Sequence, residues 1–170
     1  IFSVVRYGNV MGSRGSVIPL FLKQKNKGVL SITDESMTRF TITLKEAVSM
    51  VYWVLDNCLG GEIFVPKIPS YRIMDLAEAI APNCEKKLIG IRPGEKVHEE
   101  LITPSDSYST IDLGDYYAIL SADGLLEEKY KIEKKNFTQV ENGFSYNSGS
   151  NPDILSVKQI RELIKDYRIN

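Results

Sequence analysis

The sequence predicts an α/β fold, and three observations carry that prediction. Short apolar runs rich in β-branched residues alternate with stretches of helical periodicity, the pattern of successive strand–helix units. The opening run Ile1-Phe2-Ser3-Val4-Val5 has four apolar residues in five, as a strand buried in a parallel sheet would. A glycine-rich loop, Gly8 to Gly15, follows at once. Ligands of open α/β sheets bind at such strand C-termini.

The elements follow in order. After the loop, Val17, Ile18, Leu20, Phe21 and Leu22 recur at helical spacing, and the predicted helix runs to about Lys27, with Gly28 as its C′ residue. Val29 to Thr33 and Phe40 to Thr43 read as short strands. Thr43 and Glu46 fit a capping box ahead of a helix whose apolar stripe is Leu44, Ala47, Val48, Val51, Val54 and Leu55. Gly60-Gly61 ends that helix, and Glu62 to Val65 is a strand. Tyr71 to Ile73 is extended, and Met74 to Ala81 is a helix stopped at Pro82. Lys87 to Ile91 is a strand, Pro93-Gly94 a turn, and a helix is expected to begin at Glu95 or Lys96. Tyr116 to Leu120 is a strand. Ser121 to Gly149 is polar and weakly periodic, so it is expected to be a long connection or arm. The last helix starts at Ser156, with Gln159 at its box position, and is expected to reach about Tyr167.

Composition narrows the function. The chain has 170 residues, 43% apolar and 25% charged, with a formal net charge of -1. A nearly neutral surface argues against general binding to nucleic acid or to an anionic membrane. No apolar run is long enough to span a bilayer, and no signal peptide is seen. Cys58 and Cys84 form no CxxC pair and, with a single His, do not compose a metal site; two isolated cysteines point to a reducing, cytoplasmic setting. The chain opens inside a strand without an initiator Met, and a parallel strand needs neighbours. The expectation is therefore a fragment of a larger protein.

Three segments carry candidate chemistry. In Arg6 to Pro19, Asn9 offers a donor and an acceptor, and Ser16 and Val17 stand at a helix start, where backbone N–H groups favour a phosphate. In Thr33 to Thr41, Arg39 stands at a strand mouth, and a guanidinium can grip a phosphate with two parallel hydrogen bonds. In Gly90 to Glu99, Arg92 and Glu95 flank the Pro93-Gly94 turn. One could hold a diphosphate while the other accepts from ribose hydroxyls. Each segment also has a plain structural account: a loop turning a corner, a surface ion pair of Arg39 with Asp34 or Glu35, a tight turn with Glu95 favoured in a helix's first turn. His98 could act as a base near neutrality, but a helix-surface or domain-contact histidine is the simpler account.

Together, Arg6 to Val17, Ile32-Thr33-Asp34 with Met37-Thr38-Arg39-Phe40, Gly61 to Lys67 and Ile91 to Lys96 resemble the extended short-chain dehydrogenase/reductase superfamily. More narrowly they resemble its bacterial UDP-N-acetylglucosamine 4,6-dehydratases of polysaccharide synthesis. The resemblance runs from residue 1 to about residue 120, and the tail around Tyr146 to Asn151 is similar to the capsule-type members that invert C5. It implies the C-terminal portion of such an enzyme: residues 1–12 as a remnant of the dinucleotide-binding sheet, residues 13–120 as the UDP-sugar region with an interleaved Rossmann strand and helix near 43–66, and residues 121–170 as a C-terminal arm and helix.

By the same resemblance, Asn9 would contact the sugar or diphosphate, Ser16 and Val17 the phosphates, Ile32 and Thr33 the uracil, Arg39 and Arg92 the diphosphate, and Glu95 the ribose. Tyr7 and Gly8 would border the nicotinamide of NADP or NAD. The family oxidises C4, removes water across C5–C6 and returns hydride to C6. The family's glycine-rich cofactor loop, Asp/Lys pair and Tyr- or Met-x-x-x-Lys segment have no counterpart here, so no catalytic residue is assigned. The chain alone is expected to be an inactive binding part of a homo-oligomeric lyase. A UDP-sugar 4-epimerase of the same superfamily, or a non-catalytic nucleotide-sugar-binding or assembly module, would share these features.

Overall fold

The computed structural model describes residues 1–133 and 136–165. In chain order the elements are β1 (Val4–Val5), β2 (Asn9–Val10), α1 (Val17–Lys25), β3 (Val29–Ile32), β4 (Thr38–Ile42), α2 (Leu44–Asn57), β5 (Ile63–Pro66), β6 (Ser70–Arg72), α3 (Ile73–Ile80), β7 (Glu85–Leu88), β8 (Glu100–Ile102), a 3-10 turn (Asp106–Ser109), β9 (Thr110–Asp112), β10 (Tyr116–Ile119), α4 (Leu125–Ile132), β11 (Thr138–Gln139), β12 (Tyr146–Asn147) and α5 (Val157–Lys165). The α/β class holds. The chain alternates between two compact units. The first comprises Ile1–Tyr7, Leu44–Lys67 and Glu100–Asn147, and the second Gly8–Thr43, Ile68–Glu99 and Ser148 onward.

In the first unit a five-stranded sheet has the order β1-β5-β10-β9-β11. β1 runs parallel to β5, with Val4 opposite Ile63, and β10 runs antiparallel to both β5 and β9. The parallel pairing expected of the opening run is present, but its burial is not. β1 is an edge strand with one neighbour, and Ile1 and Phe2 are each 91% exposed. Met50, Val54, Phe64, Ile111, Ala118, Leu126 and Tyr130 form the core. α2 turns Ala47, Met50 and Val54 inward, whereas Leu44, Val48, Val51 and Leu55 of its expected stripe stay exposed. The stripe was wide enough to serve two faces, and the sheet covers one.

Ser121 to Gly149 is not an arm. It supplies α4, whose Leu126 and Tyr130 are buried, then β11 on the sheet edge and β12 antiparallel to β8. Its apolar residues are few and leave little periodicity; Leu126, Tyr130 and Tyr146 are buried, whereas Leu125 and Ile132 are exposed. Tyr130 also donates to the Glu62 carboxylate, 3.2 Å away. Glu62, itself 1% exposed, accepts from the Ser3 hydroxyl and from the Leu59 and Gly60 amides as well. Burial alone would raise its pKa. The hydrogen bonds from Ser3, Leu59 and Gly60 outweigh that and hold it below the usual carboxylate value.

In the second unit β2 pairs parallel with β4, β4 antiparallel with β6, and β3 parallel with β7. Ile18, Phe21, Leu30, Ile32, Met37, Tyr71, Leu76, Ala77 and Ile160 make a continuous core, which joins α1, α3 and α5. α3 and α5 lie within two residues of their predicted ends at every described terminus; the expected reach of α5 to Tyr167 lies outside the described residues. The Ser156–Gln159 box is closed in both directions, at 2.9 and 3.4 Å. Asn151, buried, donates to the carbonyls of Ile68 and Asp153 and so ties the tail to the start of β6.

Candidate functional site

The second unit holds a cavity of about 330 Å³. Its wall is built from the glycine-rich loop, one face of α1, the ends of β3 and β4, and the turn after β7. β2 is held against β4 with Asn9 opposite Thr41, which places the loop beside the strand carrying Arg39. That approach needs a glycine just before β2. A side-chain carbon on Gly8 would stand 2.4 Å from Cβ of Phe40.

At the other end of the loop α1 begins. Ser16 is its N-cap by backbone geometry, but its hydroxyl makes no capping bond. Its Oγ is buried and without any partner, facing the cavity wall that Ser16 helps to form. The Ser16 amide, expected to point at a ligand, instead donates to the Ser13 carbonyl at 3.0 Å. The loop's own turn claims it. The amides of Val17 and Ile18 remain open, and Pro19 has no N–H to offer, so the helix start carries two free donors and an orphan hydroxyl.

Arg39 is mostly buried, its side chain 13% exposed. Its Nη1 donates to the carbonyls of Thr38 and Val97 at 2.7 and 3.0 Å. Glu95 and Glu99 lie 3.6 and 3.7 Å from its guanidinium. Its carboxylate neighbours are therefore not Asp34 or Glu35; Asp34 is occupied with the Ser36 amide. The expected helix at Glu95 does not form. Arg92-Pro93-Gly94-Glu95 is a turn in which the Glu95 amide donates to the Arg92 carbonyl at 3.0 Å, with Pro93 second and Gly94 third at φ 80°. That geometry is a type II turn, and the residues after it bend toward β4, where the Val97 carbonyl accepts from the Thr38 amide and from Arg39 Nη1. The turn brings the Glu95 carboxylate 3.4 Å from the Arg92 amide, so the pair does flank one side. The Arg92 guanidinium is exposed and meets no partner among the described residues.

The cavity thus gathers Asn9, Ser16, Val17, Thr33, Arg39, Arg92 and Glu95 of the predicted residues. Ile32 is not among them. Its side chain is fully buried in the core, and its carbonyl accepts from the Ile89 amide at 2.8 Å. Tyr7, partly buried, packs against the core of the first unit, and Gly8 approaches Phe40 so closely that a side-chain carbon there would clash. His98 does not line the cavity; its Nδ1 is 2.8 Å from the Thr38 hydroxyl.

Other wall residues were not singled out in the sequence. Gln24 and Ser31 lock together, Gln24 accepting from the Ser31 amide at 2.9 Å and donating to its hydroxyl at 3.1 Å. Tyr71, 3% exposed, has its phenol pKa raised, first by burial and then by the Glu99 charge, so it faces the cavity as a neutral hydroxyl. Glu99 holds Asn9. A lone carboxylate beyond the turn after β7 carries no motif, and only the pairing of β2 with β4 brings the two together.

These features combine open amides, an orphan hydroxyl and two guanidinium groups with one carboxylate and an apolar wall. That set suits an anionic, partly polar ligand with a flat or apolar end. Comparison with known proteins places the chain in a family. Residues 1–121 match the family model described as polysaccharide biosynthesis protein. The UDP-N-acetylglucosamine 4,6-dehydratase (inverting) of Campylobacter jejuni (serotype O:23/36) is 46% identical over 169 residues, covering 96% of this chain and 51% of the relative. The UDP-glucose 4-epimerase of Rickettsia canadensis is 39% identical, covering 96% of this chain and 49% of its own. The X-ray structure of Pen from Bacillus thuringiensis superposes with a TM-score of 0.82 at 35% identity, over 98% of this chain and 50% of that one. The chain spans about half the length of the curated relatives it matches. Family match, identity and shared fold lead to one assignment: the chain belongs to the polysaccharide biosynthesis protein family, of extended short-chain dehydrogenase/reductase type.

Proposed function

We propose that this cavity binds a UDP-sugar, and that the chain is the nucleotide-sugar-binding part of a UDP-N-acetylglucosamine 4,6-dehydratase. The observation that carries the reading is the helix start of α1, whose free Val17 and Ile18 amides and unpartnered Ser16 hydroxyl line a cavity with Arg39 and Arg92. Such a donor set suits a diphosphate. Glu95 can accept from ribose hydroxyls. The apolar wall with Thr33, Gln24 and Ser31 leaves room for a base, and Ile32 supports that wall from the core rather than touching the ligand.

A nicotinamide cofactor, NADP or NAD, is implied by the family. The chain has no G-x-G-x-x-G sequence, so the cofactor would be held mainly by other parts of the protein, with Tyr7 and Gly8 bordering its nicotinamide. This chain's own work in the reaction is therefore to grip and orient the nucleotide sugar, and by itself it binds without turnover. Assembly into a homo-oligomer and a cytoplasmic setting belong to the same reading. No helix among the described residues is long and apolar enough to cross a membrane.

Calorimetric titration with UDP and, separately, NADP⁺ tests the proposal. Saturable UDP binding with no heat from NADP⁺ supports it; a folded chain that binds NADP⁺ but not UDP overturns it. A second reading, a UDP-sugar 4-epimerase, is favoured by the 39% identical relative. Product analysis of a protein carrying this chain separates the two, since an epimerase forms no 4-keto-6-deoxy sugar.

A further inference from the structure

Glu99 lies behind the cavity wall and touches two strands at once. Its Oε1 accepts from Asn9 Nδ2 on β2 at 2.9 Å, and its Oε2 accepts from the Phe40 amide on β4 at 2.9 Å. The residue is held from both sides of its own backbone. Its amide donates to the Ser148 hydroxyl at 2.9 Å, and its carbonyl accepts from the Ser148 amide at 2.8 Å. Ser148 is fully buried, and its hydroxyl is 2.7 Å from that of Thr38, which is in turn 2.8 Å from His98 Nδ1. The carboxylate therefore sits on a fixed support.

That support decides which way round the Asn9 amide lies. An ionised carboxylate only accepts, so the group facing it must be Nδ2. Asn9 is then left with its carbonyl Oδ1 unpartnered at the cavity. An amide carbonyl repels a phosphate oxygen and attracts a hydroxyl or an N–H, whereas the Glu99 charge itself is met by the Arg39 guanidinium 3.7 Å from the same oxygen. The other polar groups of the cavity are mainly donors: the Val17 and Ile18 amides, the Ser16 hydroxyl and the two guanidinium groups. The wall is thus divided, with donors for the diphosphate, the Glu95 carboxylate beside the turn, and the oriented Asn9 carbonyl as a second acceptor.

We propose that Glu99 is a positioning residue that turns Asn9 so that its carbonyl binds a donor on the sugar, a ring hydroxyl or the acetamido N–H, and not the diphosphate. The proposal rests on the UDP-sugar reading above and assigns Asn9 to the sugar within it.

The test titrates the chain and its Glu99→Gln, Asn9→Ala and double variants with UDP and with UDP-N-acetylglucosamine. Gln keeps the size and can still accept from Phe40, but it then presents an NH₂ to Asn9 and forces the Asn9 amide to turn over. The expected result is about tenfold weaker binding of UDP-N-acetylglucosamine in Glu99→Gln, with UDP changed by less than about twofold. The double variant should be no weaker than Asn9→Ala, because one residue acts through the other. Equal losses for UDP and UDP-N-acetylglucosamine, or losses that add in the double variant, overturn the proposal. A wild-type chain that binds UDP but gains nothing from the sugar overturns it too while leaving the nucleotide site standing. A wild-type chain that binds neither removes both readings.

Discussion

Replacing Arg92 by Ala should weaken UDP binding without touching the fold. Arg92 stands at the first position of the type II turn, and its guanidinium is exposed with no hydrogen bond or ion pair among the described residues. Its removal should therefore change stability by no more than about 0.5 kcal/mol. A hydrogen bond from a charged group to a phosphate contributes about 1.5–3 kcal/mol. Exposure and salt screening place Arg92 near the lower end, since the Debye length at physiological salt is about 8 Å. About 1.5 kcal/mol is roughly a tenfold rise in Kd. Calorimetry at low and at high salt is the assay, with the melting temperature as the control. The ratio of variant to wild-type Kd should fall as salt rises. Arg39 would be a poorer probe, because its guanidinium also holds the Thr38 and Val97 carbonyls and its loss disturbs the wall itself. An unchanged Kd for Arg92→Ala in a folded chain would take Arg92 out of the site and refute the diphosphate assignment on this side of the cavity.

Further outcomes follow from the same geometry. Ser16→Ala should leave stability unchanged or slightly raised, because it deletes a buried hydroxyl with no partner, yet weaken UDP binding several-fold; parallel melting and titration check both halves. Gly8→Ala should destabilise the second unit by about 1–3 kcal/mol, since the added carbon meets Phe40 side chain and backbone together, and denaturant unfolding measures it. Glu62→Gln should cost the first unit about 1–3 kcal/mol by weakening the bonds from Ser3, Leu59 and Gly60. The folded pKa of Glu62 is depressed, so its contribution is fully present above the unfolded value near 4.5 and is lost as pH falls through the folded value. Acid unfolding below about pH 4.5 should therefore be shallower in the Gln variant, and identical acid profiles would show that Glu62 is not the group responsible.

Much of the fold was legible locally. Helices α1, α3 and α5 announce themselves by periodicity and by Ser156–Gln159, because a helix closes its hydrogen bonds within its own segment. β3, β5 and β10 are short apolar runs between turn signals. The Pro93-Gly94 turn was legible because only glycine takes its third position cheaply, but the helix expected after it was not real. The signal there, a carboxylate after a turn, is equally met by a non-helical chain whose Val97 carbonyl is claimed by β4. The Ser121 to Gly149 segment was misread for a related reason. Two buried residues in the eight of α4, and strands of two residues, leave too little pattern to detect before their partners are known.

By itself, the sequence determined the α/β class, the positions of the glycine-rich loop and the Arg-Pro-Gly-Glu turn, and the inventory of charged and polar groups that could meet a nucleotide sugar. Each of these depends on a few consecutive residues. Only the tertiary structure decided that the Ser16 amide is spent in the loop while its hydroxyl is not, that Ile32 belongs to the core, that Arg39 lies between Glu95 and Glu99, and that Glu99 turns Asn9. The contacts of Glu99 and its support depend on residues far apart in the chain meeting at one place, as Thr38 meets Ser148. A backbone hydrogen bond or a buried carboxylate has no preferred sequence spacing across such distances. Strand pairing and core packing choose its partner, and they do so only when the whole unit is assembled.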